Sequence, residues 1–200
     1  YMQLARQLCS EAGIPLILDE VQTGIGRTGK WFAFQHYGIK PDVVTMAKAL
    51  GGGVPIGCMI ANERTAQGFE PGTHGTTFGG GPFVTRVALA AVQAIEDEQL
   101  VSAAAEAGNY LQDGLWKLAD RNPQILGKVR GMGCLIGVEL EVPGSEIVSA
   151  AMERGLLLLT AGPKVLRLLP PLNVTQAQMD EALGIIAEVV GELAKTRSEA

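Results

Sequence analysis

Two stretches decide the fold: Leu16-Ile-Leu-Asp-Glu-Val-Gln-Thr-Gly24, and Asp42-Val-Val-Thr-Met-Ala-Lys-Ala-Leu-Gly-Gly-Gly53. Each carries a largely apolar run, Leu16-Ile-Leu18 in the first and Val43-Val-Thr-Met-Ala47 in the second, that ends in a charged side chain, Asp19 and Lys48 respectively. Apolar runs without alternation, set between helical segments, predict strands of a mostly parallel sheet buried on both faces. The helical segments flank them. Residues 2–12 place Leu4, Leu8 and Ala12 at helical spacing until Gly13-Ile-Pro15 stops the helix, and a short aromatic helix is expected around Trp31–Tyr37 ahead of Pro41. The reading is α/β. In an open sheet of this kind the reactive groups gather at the carboxyl ends of the strands, where Asp19 and Lys48 stand.

Downstream, a strand over Ile56–Ala61 is followed by the polar loop Pro71-Gly-Thr-His-Gly-Thr-Thr-Phe-Gly-Gly-Gly81, which has the composition of a binding loop. Alanine- and leucine-rich helices run from Phe83 to Glu98 and from Gln99 to Asp120, ended by Asn122-Pro123. Residues 125–174 read as β-rich segments, 128–140, 156–160 and 165–169, with a helix over Ser145–Arg154. Thr175 then caps a final helix, with Gln178 as its capping-box partner and Met179, Leu183, Ile186 and Val190 facing inward. The chain divides into 1–98 and 99–200, the second part a small α/β domain.

Composition narrows the function. The 200 residues are 47% hydrophobic, enough for a substantial core, and carry a net charge of −5. The sixteen basic residues form no run or aromatic-interleaved stripe, which argues against nucleic acid as a partner. No apolar run approaches the roughly 20 residues that cross a bilayer, so no membrane association is expected. Cys9, Cys58 and Cys134 are odd in number and scattered in small or apolar surroundings, the pattern of reduced thiols in cytoplasm. The opening Tyr1-Met-Gln-Leu-Ala-Arg-Gln-Leu8 reads as the middle of a helix, so a longer chain is expected.

The chemistry rests on Lys48 and Asp19. Around Lys48, Ala47, Ala49 and Leu50 provide no charge partner, and Gly51-Gly-Gly53 clears side chains from one flank, as a planar ring would require. The lysine is expected to be buried and held for covalent work. A buried carboxylate on the neighbouring strand end completes a pair suited to pyridoxal 5'-phosphate, whose aldehyde condenses with a lysine and whose ring nitrogen pairs with an acid. Taken alone, Asp19 reads as a cap on the turn that follows it. Thr76 and Thr77, among Gly75 and Gly79–Gly81, offer hydroxyls and open amides to a phosphate. Arg167, between Leu166 and Leu168, is placed to fork a carboxylate, although alone it reads as a surface arginine on an edge strand. His36 and His74 have no second ligand at metal spacing, so no metal is expected, and His36 is read as packing on its aromatic helix. Gly24-x-Gly26-x-x-Gly29 matches a dinucleotide fingerprint only on paper, because a polar loop leads into it and no acid follows about 20 positions on.

Taken together, Leu18-Asp-Glu-Val-Gln-Thr-Gly-Ile-Gly-Arg-Thr-Gly29, Ala47-Lys-Ala-Leu-Gly-Gly-Gly53 with Pro55-Ile-Gly57, and His74-Gly-Thr-Thr-Phe-Gly-Gly80 resemble the class III pyridoxal-phosphate aminotransferases. Val129–Gly137 and Val165–Val174 resemble that class too, so the similarity runs along essentially the whole chain, and it points to the acetylornithine branch. The resemblance implies fold type I, with 1–98 the last part of the large cofactor-binding domain and 99–200 the small carboxyl-terminal domain. It implies that Lys48 binds the cofactor covalently, Asp19 its pyridine nitrogen, Val21 its ring face and Gln22 its phenolic oxygen. Thr77 would reach the phosphate of the other subunit's cofactor, which makes the protein a homodimer with a shared site. Arg167 would hold the substrate α-carboxylate. The implied reaction moves the δ-amino group of N-acetylornithine to 2-oxoglutarate in arginine biosynthesis. Another ω-amino-acid aminotransferase, acting on ornithine, succinylornithine or 4-aminobutyrate, and a non-catalytic fragment that keeps the fold, are the alternatives. Gly81 stands where the class usually has asparagine. The class's first phosphate loop, its ring-stacking aromatic residue and the acid that parries the substrate-binding arginine are not within these 200 residues. The resemblance thus implies the carboxyl-terminal part of a longer enzyme, inactive by itself.

Overall fold

The computed structural model describes residues 1–198 and divides the chain into two compact units, residues 1–101 and Ser102 onward. In the first unit, helix α1 (Met2–Glu11) leads to strand β1 (Ile17–Asp19), a 3-10 turn (Ala33–Tyr37), β2 (Val43–Met46) and a second 3-10 turn (Lys48–Gly51). Then come β3 (Cys58–Ala61), the short α2 (Glu63–Ala66) and α3 (Pro82–Asp97). The sheet order is β1-β2-β3. β1 and β2 are parallel, with Asp19 opposite Thr45, whereas β2 and β3 are antiparallel. The described sheet is therefore mixed, with one parallel pair. A parallel return needs a crossover of a dozen or more residues, and between Met46 and Cys58 the chain makes only a tight turn and a short loop.

Burial on both faces holds for β2 alone, where Val43, Val44 and Met46 are buried. β1 and β3 each have a single strand neighbour, and Ile17, Met59 and Ile60 stay exposed. α1 follows its predicted span but buries no residue, and Leu4 and Leu8 face solvent. What ties these elements together is the buried Asp42. Its carboxylate accepts the Leu16 N–H at 2.8 Å, the Arg6 Nη1 at 2.6 Å and the Asn62 Nδ2 at 2.7 Å. The Leu16 amide, then Arg6, hold its pKa at about 2, well below the usual carboxylate value.

Helix α4 (Leu100–Arg121) carries the chain into the second unit. There follow β4 (Leu126–Met132), β5 (Leu135–Leu140), α5 (Gly144–Glu153), β6 (Leu159–Thr160), β7 (Val165–Leu168) and α6 (Gln176–Ser198). The strands form an antiparallel sheet in the order β4-β5-β7-β6. The segment read as one β-rich stretch, 128–140, is a hairpin. Its turn, Gly133-Cys134, opens on a glycine with φ of 52°, and near the end of β4 Gly131 has φ of 154°, where a side chain would strike the backbone of Leu135 and Ile136. Ile136, Val138 and Leu140 alternate inward from β5, as Leu166 and Leu168 do from β7. They meet Ala104, Leu111 and Leu115 of α4, Ile147 and Ala151 of α5, and Met179, Ile186, Val189 and Val190 of α6 in one core. The capping box is present as expected, with the Thr175 N–H donating to Gln178 Oε1 at 3.0 Å and the Gln178 N–H donating to Thr175 Oγ1 at 3.3 Å.

Candidate functional site

Parallel pairing brings Asp19 and Lys48 to the same edge of the sheet. Asp19 is the last residue of β1, and Lys48 lies two residues past the end of β2. Asp19 Oδ1 accepts the Val21 N–H at 2.9 Å and the Thr45 hydroxyl at 3.3 Å, while Oδ2 has no hydrogen-bond partner among the described residues. Both readings of Asp19 are thus physically compatible: one oxygen caps the turn and the other is free. Lys48 departs from a strand-closing lysine by opening the second 3-10 turn with φ at 46°, in the left-handed region that side chains enter rarely. Its ammonium has no hydrogen-bond or ion-pair partner among the described residues. Neither residue is buried, contrary to expectation; both are exposed. The cause is the edge position of β1 and the thin cover over this sheet, described above.

The glycine triplet turns out to serve the backbone. Gly52 and Gly53 have φ of 56° and 110°, and a Cβ on Gly51 or Gly52 would press on Ile56 at 3.0 Å or on Ala91 at 3.1 Å. Val21 is half-buried and Gln22 exposed, and both sit on the turn directly after Asp19. Thr77 lies in the fully exposed loop 71–80. That loop is anchored where the Gly57 N–H donates to the Phe78 carbonyl at 2.8 Å.

Arg167 corrects an expectation. β7 lies between β5 and β6, so it is an interior strand and not an edge. Arg167 projects from the face opposite Leu166 and Leu168, in register with Gly137 on one side and Leu159 on the other. Its Nε is buried and has no hydrogen-bond partner among the described residues. A buried donor left so costs about 1–3 kcal/mol, which an incoming carboxylate would recover.

Sequence reasoning passed over Glu20. Side chains alternate along a strand, so as Asp19 faces out its neighbour turns inward, and Glu20 is buried. Its carboxylate accepts the Ala33 N–H at 3.1 Å, the Phe34 N–H at 2.9 Å and the Thr23 hydroxyl. The Asp-Glu pair was itself the signal, since alternation forces two adjacent acids to opposite faces. His36, on the 3-10 turn, bonds through Nε2 to the Thr28 carbonyl and hydroxyl at 3.1 and 3.2 Å. The Gly24–Gly29 segment is a compact loop with Gly24, Ile25, Gly26 and Thr28 buried, not a strand-to-helix phosphate turn.

As a donor set these residues fit pyridoxal phosphate. An acid oxygen with no partner and an amine with no partner stand on neighbouring strand ends, and a loop with open hydroxyls is tied beside the glycine turn by Gly57 and Phe78. Among the described residues no helix is long and apolar enough to cross a membrane.

Comparison with known proteins agrees. The sequence matches the family Aminotransferase class-III over residues 1–190. It is 51% identical over 197 residues to an acetylornithine aminotransferase of Gloeobacter violaceus, covering 98% of this chain and 49% of that protein. It is 44% identical over 195 residues to one from Methanocaldococcus jannaschii, with coverage of 98% and 49%. Among solved structures, the ornithine aminotransferase of Toxoplasma gondii ME49 superposes with a TM-score of 0.93 at 31% identity, over 98% of this chain and 48% of that one. The acetylornithine aminotransferase of Elizabethkingia anophelis gives 0.89 at 34%, over 96% and 49%. The chain spans about half the length of the curated relatives it matches.

Proposed function

Because the chain belongs to the class-III aminotransferases, a pyridoxal-phosphate-dependent family of fold type I, we propose that its protein transfers the δ-amino group of N-acetylornithine to 2-oxoglutarate. The observation that carries this reading is the pairing of Asp19 and Lys48 on adjacent parallel strand ends, each with a free polar atom. Bound between them, the cofactor would supply an electron sink for the carbon that loses its amine. Asp19 Oδ2 would hold the proton on the ring nitrogen. Val21 would pack on the ring face, Gln22 would donate to the phenolic oxygen, and Lys48 Nζ would form the covalent link.

Once displaced by the substrate amine, Lys48 Nζ would move a proton at the substrate carbon. Its left-handed backbone would keep the amine at the turn, where it can both bind and shuttle. Arg167, with its orphaned Nε, would take a carboxylate of the amino-acid or 2-oxo-acid substrate as a charge-assisted pair. Residues 1–98 would form the last part of the large domain and 99–200 the small one. Thr77 would contact the phosphate held by a second copy, making the working unit a homodimer. Cys9, Cys58 and Cys134 form no disulfide among the described residues, which is compatible with a cytoplasmic location.

Ornithine is the second reading, favoured by the superposition on ornithine aminotransferases at TM-scores of 0.91 and 0.93. The deciding experiment loads the intact protein with pyridoxal phosphate and offers it acetylornithine, succinylornithine, ornithine and 4-aminobutyrate, with 2-oxoglutarate as acceptor. Acetylornithine should give the highest kcat/KM. A protein that takes up no borohydride-reducible cofactor would be a binding module and not an aminotransferase. In the loaded protein, Lys48→Ala should abolish both turnover and reducible incorporation.

A further inference from the structure

The structure assigns to Glu20 the role of positioning residue for the candidate cofactor site, acting through Val21 and Gln22; this inference rests on the reading of the preceding subsection. Glu20 is anchored twice. Its main-chain N–H donates to the Thr45 carbonyl at 3.0 Å, carrying the β1–β2 ladder one residue beyond Asp19. Its side chain, 3% exposed, turns to the opposite face and gathers two backbone amides and a hydroxyl.

The three donors come from both ends of one loop. Thr23 closes the turn that carries Val21 and Gln22, which the Gly24 N–H also closes by donating to the Glu20 carbonyl at 2.9 Å. Ala33 and Phe34 open the 3-10 turn thirteen and fourteen residues away. One carboxylate therefore fixes the start of the loop against its end, and both of its oxygens act as acceptors. The space is tight, since a Cβ on Gly24 would lie 2.8 Å from the Glu20 carbonyl oxygen and 3.2 Å from its Cβ. Asp19 can meet a ligand from one face because Glu20, on the other, holds still the two residues that follow.

The chemistry predicts how this fails. In Glu20→Gln one oxygen becomes an NH2 facing an N–H or hydroxyl, so a donor opposes a donor and the turn must shift. Groups that orient the direct ligands of a metal typically matter by 10- to 100-fold, and the low end of that scale is expected here. In the intact protein loaded with pyridoxal phosphate, Glu20→Gln should raise the cofactor Kd about tenfold and move the pH midpoint of the visible absorption of the lysine-linked cofactor. Thr23→Val, which removes one of the donors to that carboxylate without adding bulk, should move both in the same direction, and decides alone if Glu20→Gln does not accumulate as folded protein. Wild-type Kd and midpoint in the variants would overturn the role of Glu20, even if their thermal midpoints fall, because a merely structural acid lowers stability and leaves the spectrum alone. Absence of a Lys48-linked cofactor in the wild type would defeat both inferences, whereas normal wild-type loading with unmoved variants would defeat only this one.

Discussion

Asp42 is the residue whose charge the first unit depends on most visibly. It links α1 through Arg6, the entry to β1 through the Leu16 amide, and the chain beyond β3 through Asn62. A carboxyl whose folded pKa is about 2, below its value of 3.8 in the unfolded chain, adds stability that is fully present above about pH 4 and is lost as pH falls through about 2. Urea unfolding of the wild type should therefore weaken between those values, and Asp42→Asn should flatten that part of the profile. An unchanged slope in the variant would mean that the acid loss arises elsewhere. At this scale Lys48, Asp19 and Arg167 were legible as singular charges in apolar runs. Their exposure was not, because burial depends on which neighbours cover a strand, and no pattern within the strand reports that. Glu20 shows in the sequence only as one of two adjacent acids, since two of its partners, at Ala33 and Phe34, are backbone amides, which leave no mark in side-chain identity.

Among the elements, α6 was the most readable, since its cap, partner and inward face follow from local rules. The reciprocal Thr175–Gln178 bonds make a direct prediction. Thr175→Ala should cost about 1 kcal/mol, and Gln178→Ala should add little to it, because the two side chains serve one box. Denaturant midpoints of the two single variants and the double variant test this, and fully additive losses would refute it. The strands were harder to read. Val43–Met46 was legible to the residue, but the direction of β3 was set by the length of the turn before it. The hairpin at 128–140 hid its reversal in Gly133-Cys134. Interior placement of β7 is also invisible locally, since β5 and β6 reach it from different parts of the sequence.

At the scale of the molecule, packing is uneven. The main cluster of buried residues runs from Ala104 to Ala194, all in the second unit. The first unit leaves Leu4, Ile14 and Ile17 at 56%, 53% and 59% exposure, next to a strand with one unpaired edge. Open apolar edges pair with other chains, so the 200-residue chain should self-associate as its concentration rises, and Ile17→Lys should suppress this. Light scattering that stays flat with concentration in the wild type would contradict it. The unequal packing of the two units was not legible in the sequence, because both halves are rich in apolar residues. Synthesis feels that inequality as timing. Of these two units the ribosome delivers the thinly packed one before the one with the dense interior, so its greasy strand edge is in solution before that interior can form.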